Sequence, residues 1–289
     1  MMANKVVRTF SFAIPVLMVG YLLSVFALAG YMKSRPFVEK LGYIPTVNTM
    51  KVMAGDHKQF MGANLLLKVL FYYGGLAEKA ENQLHIPADY PAMSRTIHAA
   101  LKLDPYNMDG YYFAQAILTW DLGKAALANE FLEYGMKYRD WDWYLPFYAG
   151  FNYAYFLKDH DNAARHYRRA AELSGQALFM NLAGRYMRES GRTDMAIAYL
   201  DAMAKGARQE SIKKVLNTRK AAFIAARKIE LARDAYREKH GRLPGSVEDL
   251  LAGGYLKQVP QDPYGGRFYL AADGNVASTS GFSFAGAGK

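Results

Sequence analysis

The chain has 289 residues, a formal net charge of +10, 52% hydrophobic and 14% aromatic residues, and no cysteine. That length allows one long repeat array or two modest domains, and the apolar fraction is ample for a core. The lack of cysteine excludes a disulfide framework, a thiolate zinc site and a cysteine nucleophile.

Thr9 to Met32 carries no charged residue. A run of about 20 apolar residues spans the hydrocarbon layer of a bilayer, so this one is long enough. Pro15 stands in the early turns, where a membrane helix tolerates a kink, and Tyr31 stands at the far end, where an amphipathic ring favours the interface. Two readings compete. One is an uncleaved anchor over residues 1–35. The other is a signal peptide cut after Ala27-Leu28-Ala29. The run exceeds the roughly 7–15 residue core of a signal peptide, which favours the anchor. Lys5 and Arg8 precede it and Lys33, Arg35 and Lys40 follow, so charge nearly balances across the span. A single N-terminal anchor with a short head leads to a single-pass inner-membrane protein with a periplasmic body.

Residues 36–86 are expected to connect and cap. Lys58 to Ala77 is helical and very apolar. A packed helix is the preferred reading, and a helix lying on the membrane surface is the alternative.

Residues 87–206 repeat. Ala128, Ala163 and Ala196 are each followed four residues on by Leu132, Tyr167 and Leu200, and seven on by Gly135, Ala170 and Met203. Offsets of 0, 4 and 7 share one helix face. Tyr111 with Ala114, Phe147 with Gly150, and Leu182-Ala183-Gly184-Arg185-Tyr186 stand upstream, on the first helix of each pair. An earlier second helix is expected from Pro87 to Leu103, ended by Asp104-Pro105 because proline cannot continue it. Gly123, Gly191 and Asp159-His160-Asp161 mark the turns. A period near 34 with small residues at fixed offsets resembles the tetratricopeptide repeat. The resemblance implies a mostly α-helical solenoid with a groove that binds peptides or protein segments. Phe147 in place of the usual Trp, and Met203 in place of a small residue, depart from the pattern.

Residues 207–241 read as one long basic capping helix, with Ile212, Val215, Leu216, Ala222, Phe223, Ala226 and Ile229 as its apolar stripe. Lys205 to Arg242 holds twelve Lys/Arg against four Asp/Glu. Such a face meets lipid, nucleic acid or an acidic partner, or is simply solvated, and the solvated face is the common case.

Residues 242–289 change character. Ser246 with Asp249 opens a short helix to Leu251, and Phe268–Leu270 and Val276–Ser278 read as strands joined at Asp273-Gly274. The pieces Ala232–Leu243 and Gly254–Gly274, in order, resemble the C-terminal part of the type II secretion major pseudopilin. No pilin-type cleavage motif stands near residue 10, and the N-terminal helix is not joined directly to this module, so a pilin subunit is disfavoured. In that family acidic and backbone oxygens near the final loops bind calcium, which makes Asp262 and Asp273 the calcium candidates. The plainer reading is that Asp262 caps the Pro263 turn and Asp273 makes the hairpin, with no metal and no cofactor.

No phosphate loop, H-E-x-x-H or G-x-S-x-G motif is present. His160 and His166 read as turn or solvent histidines, and Glu130 with Glu133 as a solvated pair. The aromatic run Trp120, Trp141, Trp143, Tyr144, Phe147, Tyr148, Phe151, Tyr153, Tyr155 and Phe156 reads mostly as core, with the remainder lining the groove. Tyr148 and Asn152 on one helix, and Arg185 and Arg188 on the next, are the groove candidates. The expected function is a non-catalytic protein–protein scaffold, held to the membrane by residues 9–32, that assembles an envelope complex such as a pilus-like or secretion system. An accessory subunit of a transporter or respiratory complex is the alternative. An enzyme of unrecognised type and a nucleic-acid binder are disfavoured.

Overall fold

The computed structural model describes residues 2–34 and 39–283, so Arg35 and residues 284–289 lie outside the described residues. The protein is about 71% helical, with twelve α-helices and one two-stranded sheet among the described residues. It forms two compact units, Met1–Asp104 and Pro105–Lys289.

The first unit begins with α1 (Met2–Ser34). Its stretch Pro15–Lys33 has a mean hydropathy of 1.8 and no buried residue, which makes it a candidate membrane span. After it come α2 (Val47–Ala54), α3 (Lys58–Glu81) and α4 (Tyr90–Leu103). The last starts at Tyr90 rather than at Pro87 because the Asp89 carboxylate accepts the Ala92 N–H, capping the helix just where Pro91 suits its first turn. α3 packs against α4 through a face of Gly62, Leu66, Val69 and Leu76. α2 joins them, burying Met50 beside Ala99 and Leu103. The Tyr72 hydroxyl on α3 donates to the Glu39 carbonyl and accepts the Asp89 N–H at 2.8 Å, fixing the loops on both sides.

The second unit is a succession of helices in which each packs on the next: α5 (Met108–Ala116), α6 (Ala125–Met136), α7 (Tyr144–Asn152), α8 (His160–Ser174), α9 (Ala177–Glu189), α10 (Thr193–Gly206) and α11 (Glu210–His240). Three pairs share one pattern. Gly123, Lys158 and Gly191 all have positive φ, at 62°, 54° and 81°. Each stands five residues before a buried alanine, Ala128, Ala163 or Ala196. Each second helix starts three residues before that alanine, at Ala125, His160 and Thr193. His160 and Asp161 are therefore not turn residues but the first turn of α8, and Asp159 caps it by accepting the Asn162 N–H at 3.0 Å.

Small residues set the spacing between the paired helices. A Cβ at Gly135 would lie 2.7 Å from the Tyr111 ring, and one at Gly184 would lie 3.0 Å from Leu200. Leu132, Tyr167, Leu200 and Ala170 are buried, while Met203 is half-buried and its neighbour Ala204 takes the interior position. α5 and α7 do not end as plain α-helices. Each runs into a π-helical turn, Ile117–Asp121 and Tyr153–Leu157.

α11 closes at Gly241, whose φ of 67° provides the left-handed cap. α12 (Val247–Ala252) opens with the full Ser246/Asp249 capping box. Strands β1 (Phe268–Leu270) and β2 (Val276–Ser278) pair antiparallel, Tyr269 opposite Ala277. The Gly274 N–H returns to the Ala271 carbonyl, so the hairpin turn spans 271–274 with Gly274 in its left-handed position. Val247, Leu250, Phe268, Val276 and Phe282 share one core with Leu216, Phe223, Ala226 and Ile229 of α11. The C-terminal element is thus part of the second unit's own interior.

Candidate functional site

The aromatic run lies at the border of the core. None of its ten members is fully buried; the interior of the helix pairs is built from Ala, Gly and Leu with other rings, Tyr111, Phe131, Tyr167 and Phe179. The reason is spatial. The glycines between paired helices are occupied by other rings, Tyr111 against Gly135 and Tyr167 against Gly150, so the members of the run are left at the edges of these contacts. The expectation that most of the run is core holds in part: Trp143, Phe147 and Tyr153 pack against the core while partly buried, and Trp120, Trp141, Tyr144 and Tyr155 are exposed.

Along α7 and its π turn, Tyr144, Tyr148, Phe151 and Tyr155 recur at i, i+4, i+7 and i+11, one line on the helix. They stack on one another, Tyr144 on Tyr148 with centroids 6.3 Å apart and Phe151 on Tyr155 at 5.5 Å. α5 and its π turn add Tyr112, 6.1 Å from Tyr148, and Trp120, 6.1 Å from Phe151 and 5.0 Å from Phe156. Trp120 is 59% exposed and Tyr155 56%. Trp120, Tyr155 and Phe156 lie within the two π turns, and the other rings lie on the α-helical turns before them. Partial burial, with Tyr112, Tyr144 and Asp142 nearby, holds the Tyr148 hydroxyl above its ordinary pKa, so it remains a neutral donor. Lys158 lies 5.2 Å over the Tyr155 ring and adds a cation at the rim. The stripe offers flat apolar faces with hydroxyl and indole handles, the chemistry of an anchor surface for extended protein segments.

The four residues expected in the groove do not come together. Tyr148 is in the stripe. Asn152 is wholly buried: its amide donates to Asn129 at 2.9 Å and its carbonyl faces Gln115 at 3.5 Å. Arg185 stays at the surface, bonded to Glu189 at 2.6 Å and lying over the Tyr186 ring. Arg188 turns inward. Its guanidinium donates to the Val276 carbonyl, lies 3.6 Å from Glu230, and sits 4.3 Å over the Phe282 ring. Desolvation pulls its pKa down, and Glu230 and Glu189 oppose that shift. It is a fastener of the C-terminal element, together with Arg219, which donates to the Phe282 carbonyl at 3.2 Å, and Arg233, which donates to the Gly274 carbonyl at 2.8 Å.

Asp262 and Asp273 are both engaged locally. The buried Asp262 carboxylate accepts from the Ser278 and Ser280 hydroxyls and from the Tyr264 N–H. Burial pushes its pKa up, but these donors and the Gly266 N–H outweigh that and hold it below the ordinary value. Asp273 accepts the Asn275 N–H and side-chain amide, as a turn residue does. Among the described residues no group of three His, Asp or Glu is placed to hold a metal ion.

Two further expectations change. His166 is not a solvent histidine: it is buried, stacked on Tyr153 at 5.3 Å, with Nε2 3.3 Å from Glu133. Desolvation lowers its pKa, and Glu133 only partly offsets this. Glu133 also accepts the Tyr153 hydroxyl at 3.1 Å, so it is a bridging group rather than half of a solvated pair. The i, i+4, i+7, i+11 spacing of rings was the sequence signal for the stripe, whereas pairing Tyr148 with Asn152 followed only the i+4 neighbour. No family model matches the chain, and no curated protein matches it either.

Proposed function

We propose that this protein is a membrane-anchored, non-catalytic scaffold, whose helix pairs form a tetratricopeptide-like array and whose aromatic stripe holds extended segments of partner proteins. The observation that carries this reading is the line of partly exposed rings from Tyr112 and Trp120 to Tyr144–Tyr155, lying in two stacked groups on the first helices of two consecutive pairs and their π turns. Rings of this kind anchor peptides because they bury large area at small conformational cost. The repeat reading is supported by the shared left-handed turn, buried alanine and helix start in three pairs. The anchor reading is supported by the length, apolarity and full exposure of Pro15–Lys33. The partners fit an envelope assembly, pilus-like or secretory, on the strength of the pseudopilin-like C-terminal pieces. Those pieces are fastened to α9 and α11 as a built-in cap.

The test is a photo-crosslinking residue at position 148 or 120 in the full chain in native membranes, followed by mass spectrometry of the adducts. Covalent capture of envelope-assembly proteins at both positions, lost with Tyr155→Ala, is the expected result. Capture only from a control position on α11, with none at 148 or 120, would remove the stripe as the binding surface. Stoichiometric recovery of transporter or respiratory subunits instead would replace the assembly role with a permanent subunit role.

A further inference from the structure

α3 is apolar on two opposite faces, and only one is covered. Gly62, Leu66, Val69 and Leu76 are buried on the side that meets α4. On the other side Phe60, Leu67 and Phe71 recur at i, i+7 and i+11, a single line along the helix, and are 72%, 46% and 76% exposed. Val52 and Met53 at the end of α2 are also exposed. A soluble protein seldom leaves a line of large apolar side chains in water without a use for it.

Two observations point to the occupant. The first is chain continuity. Only twelve residues separate Ser34, at the end of the candidate span α1, from Val47 at the start of α2. Even fully extended they reach about 40 Å, so α2 and α3 stay near the surface from which α1 emerges. The second is charge. Lys68, next to Leu67, and Lys51, next to the exposed Val52 and Met53, are exposed and form no ion pair among the described residues, whereas Lys40 and Lys79 are paired with Asp89 and Glu39. Exposed apolar side chains beside unpaired lysines are what an interfacial helix presents to an anionic bilayer surface.

We infer that the Phe60–Leu67–Phe71 face of α3 lies on the anionic surface of the bilayer that α1 spans. The inference rests on the anchor reading of α1. It makes α3 a second, peripheral contact, so that α1 fixes the protein in the membrane and α3 sets how the first unit stands on it.

The sequence has no cysteine, so one introduced cysteine carries a unique label. The full chain is reconstituted in vesicles of phosphatidylcholine with or without phosphatidylglycerol, carrying an environment-sensitive fluorophore at Phe71→Cys, Leu67→Cys, Val19→Cys or Lys213→Cys. Lipid-borne nitroxide is the quencher. Labels at 71 and 67 are expected to shift blue and to be quenched at least about twofold in anionic vesicles, as interfacial residues are. The label at 19 is quenched in both lipids and that at 213 in neither. Lys51→Gln and Lys68→Gln together reduce quenching at 71 and leave 19 unchanged. Quenching at 19 with none at 67 or 71 would overturn the inference and leave the anchor standing. No quenching at any position would overturn both. A blue shift at 71 without quenching would mean that protein, not lipid, covers the face, and would overturn the inference as well.

Discussion

α7 and α9 hold equivalent places in two neighbouring helix pairs and put their outward residues to opposite uses. α7 presents a ladder of rings that touch one another and solvent. α9 turns Arg188 inward to hold Val276, Glu230 and Phe282. The pairing contacts beneath are alike: each pair closes through small residues around a buried alanine. The frame therefore constrains the inner face tightly and leaves the outer face free to present rings to solvent in one pair and to fasten in the next.

The largest expected effect tests the fastening side. Arg188→Met takes the donor from the Val276 carbonyl and one of two cations from buried Glu230, which keeps Arg227 at 3.6 Å and the Thr193 hydroxyl. Losing a charged hydrogen bond of this kind costs about 1.5–3 kcal/mol. Denaturant unfolding followed by the second unit's signal in the full chain should show that loss, and hydrogen exchange should quicken at Val276. The double change Arg188→Met with Glu230→Leu should recover most of it. If the single change is neutral, α9 is not a fastener. Next, Gly184→Val forces a side chain against Leu200, and overpacking of this kind costs about 1–3 kcal/mol in thermal or denaturant unfolding.

The binding side should respond in the reverse sense. Tyr148→Ala and Trp120→Ala leave stability within about 1 kcal/mol because their rings are partly solvated, yet each should weaken partner capture about tenfold or more as hot-spot rings do. Equal losses of stability and capture would make the stripe part of the core after all.

His166 on α8 stacks on Tyr153 beside Glu133. Its folded pKa lies below the ordinary value of 6.5, so the unfolded chain takes up a proton more readily. Its contribution to stability is present above pH 6.5 and is lost as pH falls from there through the depressed folded value. His166→Gln should flatten that part of the stability–pH profile relative to the parent, measured by chemical denaturation from pH 7 to 5. The smallest effect is at Lys158, the one non-glycine in the shared left-handed position. Lys158→Gly should stabilise by up to about 1 kcal/mol, less what the Tyr155 contact contributed, read from the denaturation midpoint.

Much of this molecule follows from local rules and was legible residue by residue. The charge-free run from Thr9 to Met32, the 0, 4, 7 spacing around Ala128, Ala163 and Ala196, the Ser246 capping box and the strand pair around Asp273-Gly274 all rest on periodicity or on short-range hydrogen bonds, and such terms are written in neighbouring residues. What depended on non-neighbours was decided only by tertiary packing. Whether a ring is core or surface depends on how closely two helices approach, and Gly135 and Gly184 set that distance against Tyr111 and Leu200. Whether an arginine faces solvent or interior depends on what lies beyond it, and Arg188 meets Val276 from 88 residues away. Burial of His166 and Asn152, and the uncovered second face of α3, follow from the same cause: periodicity states which residues share a face, and only the packing partner states which face is covered.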